Sequence, residues 1–220
     1  LPLSVAHNLT LPRLDLVSVG YDAGARWLVV RRGPLRVVCN LATAPQGVPL
    51  DAPHRVYKDP NPKPEMVYAL STFDSLIGFR PSAEILRVLG PLNTPLSQRV
   101  SEELRANPGF ATIVRLIEKL LTERIDPAEV HQIVGACRTL GNLGLDIKRA
   151  YQTAVEIAEH YPDDIGVVIS LMLNRMTLQP GEAAYLETGV IHAHLKGLCL
   201  EVMATSDNVL RAGLTSKHID

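Results

Sequence analysis

The hydrophobic periodicity of this chain changes twice, and this constrains the fold more than any other feature. Near the start, Leu14–Val19 reads as a strand, and two β-rich runs follow at Trp27–Val30 and Leu35–Asn40. The run Arg31-Arg32-Gly33-Pro34 between them is typical of a hairpin. The middle of the chain has helical spacing, and from about Arg175 the period of a strand returns. The pattern predicts β-structure at both ends and helices between them.

The helical signal is clearest where apolar residues recur at helical spacing, at Phe110, Ile113, Val114, Ile117, Leu120 and Leu121. Asp126-Pro127 predicts another helix start, because Asp126 can accept from the first backbone N–H groups and Pro127 suits the first helical position. Glu129 stands where a capping box requires an acid. Ser82 could cap an earlier helix, and residues 146–160 predict a later one.

The last part of the chain is predicted to form short strands joined by tight turns, at Met176–Leu178, Ala183–Leu186, Ile191–Leu195 and Leu198–Met203. Such a series is typical of a sandwich or a small barrel. Gly166–Leu173, which precedes it, fits a strand or a helix equally well.

Composition excludes several classes of protein. The chain has 220 residues, of which 46% are hydrophobic and 20% charged, which is sufficient for a packed core. A net charge of −1 argues against nucleic-acid binding through bulk positive charge. No apolar run approaches membrane-spanning length, and no basic segment precedes one, so neither a membrane span nor a signal peptide is expected. Three cysteines without a C-x-x-C pattern favour a reducing cytoplasm over a disulfide framework.

Two histidines form the first candidate site. His192 and His194 fall in a predicted strand, where residues two apart point to the same face, so both rings could reach one metal ion. Glu201, one strand further on, could face the same interior. The alternative is a pair of edge histidines bonded to neighbouring backbone.

Two further segments could carry charge into a site. Three prolines stiffen Asp59–Glu65 and would hold Lys63 and Glu65 with little backbone entropy left to lose. That arrangement suits a carboxylate ligand or a cation, although a solvated proline-rich loop is the alternative. Arg211 and Lys217 could together bind an anion such as a phosphate, or they could belong to a solvated surface.

Three motifs then resemble signatures of one enzyme family. They are Tyr57-Lys58-Asp59-Pro60-Asn61-Pro62-Lys63-Pro64-Glu65-Met66, Gly189-Val190-Ile191-His192-Ala193-His194-Leu195 and the run Glu201-Val202-Met203-Ala204-Thr205-Ser206-Asp207-Asn208-Val209-Leu210-Arg211-Ala212-Gly213-Leu214-Thr215. In this order they resemble the type I mannose-6-phosphate isomerases, from about residue 55 to the end of the chain.

The resemblance implies an α+β fold, with part of a cupin-type jelly roll carrying an inserted helical domain. It implies a zinc cofactor and the interconversion of mannose 6-phosphate and fructose 6-phosphate, so that the partner is a small sugar phosphate. By motif match, Glu65 and His192 correspond to two of the family's four zinc ligands, and Arg211 corresponds to its catalytic arginine. Lys63 and Lys217 match lysines that line its substrate pocket.

The chain also departs from that family. The other two zinc ligands come from a Gln-x-His motif, which this sequence does not contain. Pro62, His194 and Ser216 replace the family's usual His, Tyr and Pro, and family members continue beyond Asp220. We therefore expect an incomplete chain with weak or no zinc binding and low activity. His194 could supply a third ligand, or it could simply replace a packed aromatic residue.

The first part of the chain resembles a different family. Gly20-Tyr21-Asp22, Arg26–Gly33 and Val37–Ala42 resemble the C-terminal β-domain of the maltooligosyltrehalose trehalohydrolases, an α-amylase-type family in which this domain is accessory. A short β-hairpin segment is thus expected to precede the cupin-like part.

The resulting domain prediction has three parts. Residues 1–53 form the β segment, residues 54–80 and 162–220 form the cupin-like part, and residues 81–161 form the helical insertion. Besides the isomerase, two functions remain open: a non-catalytic cupin-like module that binds sugar phosphates, and an accessory β-module of a trehalose-forming enzyme.

Overall fold

The computed structural model describes residues 61–206 and 213–215, together with the backbone of three strands nearer the start. The chain divides into two compact units. The first unit contains Leu1–Asp74, Thr177–Val190 and Lys196–Val209. The second unit contains Ser75–Met176, Ile191–Leu195 and Leu210–Asp220.

The first unit begins with a three-stranded antiparallel sheet. Its strands are β1 (Val17–Asp22), β2 (Trp27–Arg32) and β3 (Leu35–Asn40), in the order β1-β2-β3. Trp27 pairs with Asn40 and Arg32 with Leu35, so β2 and β3 form the predicted hairpin with only two residues between them. The predicted strand residues before Val17 lie outside the described part of the chain.

A second sheet in this unit has β4 (Glu65–Ala69) at its centre. Antiparallel neighbours lie on both sides, β7 (Ala183–Leu186) and β9 (Cys199–Met203). Alternate residues of β4 are buried, as expected for a strand with one face toward a core. This alternation places Glu65 on the buried face, two residues before Val67.

The third sheet lies mostly in the second unit. Its order is β6 (Leu173–Leu178), β5 (Phe73–Phe79) and β8 (His192–Lys196), with β5 in the centre. The undecided segment after residue 165 becomes a short helix, α6 (Gly166–Ser170), before β6 begins.

Five longer helices fill the middle of the chain, as the periodicity predicts. They are α1 (Ser82–Leu89), α2 (Pro95–Ala106), α3 (Phe110–Thr122), α4 (Pro127–Asn142) and α5 (Ala150–Ala158), with 3-10 turns at Gly90–Leu92 and Ile147–Arg149. Their apolar residues form one core with Leu76 of β5 and Leu173 of β6. None of the helices in the described ranges has the length and apolarity needed to cross a membrane.

The starts of the helices show which capping interactions can be predicted from neighbouring residues. Asp126 is the N-cap of α4, as predicted, and its carboxylate accepts from the Ala128 N–H. The predicted capping box is wrong, because the Glu129 carboxylate accepts two hydrogen bonds from Arg99 on α2, at 2.8 and 3.2 Å. An ion pair between helices has replaced the local bond.

The cap predicted for α1 is also wrong. Pro81 occupies the N-cap position of this helix and Ser82 is its first residue. The Ser82 hydroxyl instead accepts a hydrogen bond from the Gly109 N–H, at 3.0 Å, just before α3 begins.

Helix α5 begins later than the predicted residue 146. Lys148 and Arg149 both have left-handed backbone conformations, with φ of 50° and 59°, which interrupt a regular helix. Asp146 caps the helix from outside, since its carboxylate accepts from the N–H groups of Tyr151 and Gln152 at 2.8 and 3.2 Å.

Helix α3 is apolar on more than its buried face. Ile113, Ile117 and Leu120 are buried as the pattern predicts, but Phe110 is 69% exposed and Val114 is 45% exposed. Periodicity identifies the helix, but it does not show which of two adjoining apolar stripes will be covered.

Candidate functional site

Glu65 is a charged residue on the buried face of β4. Its side chain is only 9% exposed, and its Oε1 lies 3.5 Å from Nζ of Lys63, whose side chain is 14% exposed. A carboxylate so far from water requires a compensating charge, which Lys63 supplies. The burial of both side chains argues against a solvated loop at this end of the proline-rich segment.

The proline-rich segment is also held by the chain that follows β9. The Ala204 N–H donates to the Pro64 carbonyl, and the buried Ser206 hydroxyl donates to the Asn61 carbonyl, both at 3.1 Å. The prolines restrict the backbone of this segment, and the two hydrogen bonds attach it to the chain after β9. Both effects restrain the positions of Lys63 and Glu65.

The two histidines of β8 share one face of the strand, as predicted. The ring centroids of His192 and His194 are 5.6 Å apart, and a ring nitrogen of one lies within 4.8 Å of a ring nitrogen of the other. His192 is half-buried and His194 is exposed. Two imidazole nitrogens at this separation can coordinate a common metal ion.

The buried Ser75 hydroxyl orients the His194 ring. Its oxygen lies 3.0 Å from the Ala193 carbonyl and 3.1 Å from Nδ1 of His194. A hydroxyl has a single proton, and the carbonyl can only accept, so the hydroxyl donates to Ala193 and accepts from Nδ1–H. The lone pair of His194 is then on Nε2, which is the arrangement that metal-binding histidines usually show.

Two of the predicted site residues lie outside the described residues. These are Arg211 and Lys217, and only the stretch from residue 213 to residue 215 between them is described. The Leu214 N–H in that stretch donates to the Asp164 carboxylate at 2.9 Å. Sequence reasoning missed Asp164, whose only signal was its place in a Pro-Asp-Asp turn.

Cys199 begins β9, two residues before Glu201. Burial, and to a smaller extent the Glu201 carboxylate, raise the pKa of the Cys199 thiol above its ordinary value. The thiol therefore keeps its proton at neutral pH, and a protonated thiol is a weak nucleophile. Glu201 itself is exposed and pairs in register with Val67 of β4.

Comparison with known proteins finds two similarities. Residues 12–68 match a domain family of unknown function, DUF3459. Mannose-6-phosphate isomerase of Salmonella typhimurium is 40% identical over 174 residues, and the human mannose-6-phosphate isomerase is 38% identical over 189 residues. Most of this chain is similar to mannose-6-phosphate isomerases. The alignment with the Salmonella protein covers 79% of this chain.

Solved structures agree with the sequence comparison. A zinc-bound mannose 6-phosphate isomerase matches 79% of this chain with 39% identity and a TM-score of 0.64. The apo form of the Salmonella typhimurium enzyme matches with 38% identity and a TM-score of 0.63. The chain spans only 43% of the length of either mannose-6-phosphate isomerase. The predicted resemblance to these isomerases is confirmed, as is a fold of mixed helices and sheets.

Proposed function

We propose that this chain carries part of the zinc and sugar-phosphate site of a mannose-6-phosphate isomerase. The observation that carries the proposal is the buried Glu65 carboxylate paired with Lys63, within a chain of which 79% aligns with that enzyme. The reaction is the interconversion of mannose 6-phosphate and fructose 6-phosphate.

We assign Glu65 and His192 as zinc ligands. The donor types fit, because zinc in proteins is bound by carboxylate oxygen and imidazole nitrogen. Zinc sites normally use three or four protein ligands. With no Gln-x-His motif in the sequence, we expect these two residues alone to bind zinc weakly. His194 is a candidate third ligand, because one of its ring nitrogens lies within 4.8 Å of a ring nitrogen of His192.

The chain's own residues would orient the substrate and stabilise charge. The reaction moves a proton between C1 and C2 of an open-chain sugar phosphate, and zinc, when bound, supplies Lewis acidity. Arg211 offers a fixed positive charge for the oxygen that becomes negative in the transition state. Lys63 has three N–H donors, so it can pair with Glu65 and still donate to a phosphate oxygen, together with Lys217.

The finer points of architecture belong to the same proposal. We assign the sheets around β4 and β5 to part of a cupin-type jelly roll, and residues 81–161 to its helical insertion. The β1–β3 sheet lies within the DUF3459 match, and we assign it to an accessory β-domain like that of the maltooligosyltrehalose trehalohydrolases. The small sugar-phosphate substrate and the cysteine usage favour a cytoplasmic location.

One alternative has an observation of its own. The missing Gln-x-His motif favours a non-catalytic module that binds sugar phosphates. Calorimetric binding of mannose 6-phosphate without isomerase turnover would select this alternative. Turnover with added zinc that is abolished by Arg211→Ala would select the isomerase.

Zinc titration by isothermal calorimetry tests the ligand assignment. We expect weak one-to-one binding that disappears in Glu65→Gln and in His192→Ala. The matched control is His160→Ala, because His160 is an exposed histidine just after α5. This variant should bind zinc as the unmodified chain does. His194→Phe should weaken binding further if His194 is a ligand and leave it unchanged if it only replaces an aromatic residue. Tight binding that survives both of the first two substitutions would refute the assignment.

A further inference from the structure

Strand β8 presents two histidines on a face that is fixed by packing on its opposite side. Ile191, Ala193 and Leu195, in and beside this strand, pack against the apolar core of the second unit. Successive residues of a strand point to opposite faces, so His192 and His194 face away from that core. A strand held in this way keeps the spacing of its side chains better than a loop does.

The two imidazoles are close enough to bind one metal ion together. Their ring centroids are 5.6 Å apart with the ring planes tilted by 41°, and a nitrogen of each ring lies within 4.8 Å of a nitrogen of the other. Two nitrogens that each bind a metal at about 2.0–2.1 Å can be at most about 4 Å apart. At most a small rotation of the exposed His194 ring is therefore needed.

A buried hydroxyl on the neighbouring strand determines which nitrogen of His194 can bind a metal. Ser75 on β5 is only 1% exposed, and its oxygen lies 3.1 Å from Nδ1 of His194. The same oxygen lies 3.0 Å from the Ala193 carbonyl and 3.5 Å from the Leu76 carbonyl. Both carbonyls can only accept, so the single hydroxyl proton is directed to them and Nδ1–H of His194 donates to the hydroxyl. The lone pair that can bind a metal is then on Nε2.

We infer that His192 and His194 form a two-imidazole binding site for copper(II). Imidazole nitrogen suits zinc, copper, iron and nickel, and among the divalent ions of the first transition row a given site has its greatest affinity for copper. Two imidazoles alone therefore hold copper(II) more tightly than zinc, which normally uses three or four protein ligands. Copper(II) accepts nitrogen and oxygen ligands in a tetragonal arrangement, and water can reach the exposed His194 to complete it.

The copper site does not rest on the proposed isomerase function. It needs neither the Glu65 carboxylate nor Arg211, and a chain without isomerase activity would still contain it. Both proposals use His192, so copper(II) and zinc should compete for the chain.

Calorimetric titration with copper(II) tests the site, with citrate present as a competing chelator that contributes no nitrogen. We expect one-to-one binding, and the electron paramagnetic resonance spectrum of the complex should show coupling to two nitrogens. His192→Ala and His194→Phe should each leave one coupled nitrogen and weaken binding. Glu65→Gln should bind copper(II) as the unmodified chain does, and so should His160→Ala, which removes an exposed histidine elsewhere.

Ser75→Ala tests the orientation of the His194 ring. Removing the hydroxyl should lower the affinity for copper(II) about tenfold, because hydrogen-bond partners of metal-binding histidines contribute at least this much. Ser75→Thr keeps a hydroxyl and should recover part of the loss. Long-range nitrogen–proton NMR of the chain without added metal reads the tautomer directly, and we expect Nδ1–H in the unmodified chain and a mixture in Ser75→Ala. A His194 ring protonated on Nε2 in the unmodified chain would overturn the role of Ser75.

The outcomes separate this inference from the proposed function. Copper(II) bound through two nitrogens in Glu65→Gln, and weakened in His194→Phe, supports the site whether or not the chain converts mannose 6-phosphate. Equal binding by His194→Phe and the unmodified chain would indicate an adventitious ion only and overturn the inference. Copper binding that is lost in Glu65→Gln as well would show that the ion uses the proposed zinc site, and the separate copper site would be wrong while the zinc-ligand assignment gains support.

Discussion

The Tyr151 hydroxyl offers the most direct test of what stabilises the helical unit. Tyr151 lies on α5 and is completely buried, and its hydroxyl donates to the Val88 carbonyl at 2.8 Å. Val88 is in the last turn of α1, where carbonyl groups have no partner within the helix. The bond therefore satisfies a buried acceptor at a helix end and links two helices 63 residues apart in sequence.

Tyr151→Phe removes this hydroxyl and leaves the ring in place. An ordinary hydrogen bond contributes about 1 kcal/mol net, and a buried group left without its partner costs about 1–3 kcal/mol. We expect the free energy of unfolding to fall by about 2 kcal/mol. With an m-value of roughly 2 kcal/mol/M in urea, the unfolding midpoint should decrease by about 1 M.

Urea unfolding followed by far-ultraviolet circular dichroism measures this change, because the signal comes mainly from the helices. Tyr161→Phe, an exposed tyrosine in the same unit, is the matched control and should change the free energy by less than about 0.5 kcal/mol. If Tyr151→Phe unfolds at the same urea concentration as the unmodified chain, the bond to Val88 does not stabilise the fold as argued.

Three further predictions concern pH, backbone space and surface charge. Burial raises the pKa of the Cys137 thiol to about 12 in the folded chain. In the unfolded chain the thiol has its ordinary, lower pKa, so the unfolded chain loses this proton first as the pH rises. Stability should then fall toward alkaline pH by up to about 1.4 kcal/mol per pH unit, and urea midpoints of Cys137→Ala should lack this part of the slope. Gly197→Ala should lower the melting temperature by several degrees, because its Cβ would lie 2.4 Å from the Thr72 carbonyl oxygen at a φ of 112°. Hydrogen bonds from Lys119, and then Arg115, lower the pKa of Glu103, so its contribution is present at neutral pH and is lost on acidification. Glu103→Gln should therefore reduce the unfolding free energy at neutral pH by no more than about 1 kcal/mol, and added salt should reduce the difference.

Features with a local cause could be predicted from the sequence. The β2–β3 hairpin follows from two β-rich runs joined by a short turn, and its pairing is confirmed. The Asp126 cap follows from the carboxylate beside the first free N–H groups of α4. The same-face arrangement of His192 and His194 follows from the alternation of a strand.

Features that depend on distant partners could not be predicted. Nothing near Glu129 indicates Arg99, thirty residues away, and yet this pair replaces the local capping bond. Asp164 is similar, because its partner Leu214 lies fifty residues further on. Local pattern identifies which groups need partners, while tertiary packing decides which partners they receive.

Burying the Glu65 carboxylate is not the most stable choice for this position in β4, and this suggests that the residue is present for function. The buried face of β4 would be satisfied by an apolar residue, and a buried ion pair often stabilises a fold less than apolar groups of similar size. Proteins break such rules mainly where a site requires it. We therefore expect the double variant Lys63→Met with Glu65→Leu to unfold at the same or a higher urea concentration, with no zinc binding. Lys63→Met alone should destabilise, because it removes the cation beside the carboxylate. A double variant less stable than Lys63→Met would show that the carboxylate stabilises the fold itself, and the case for Glu65 as a ligand would lose its physical basis.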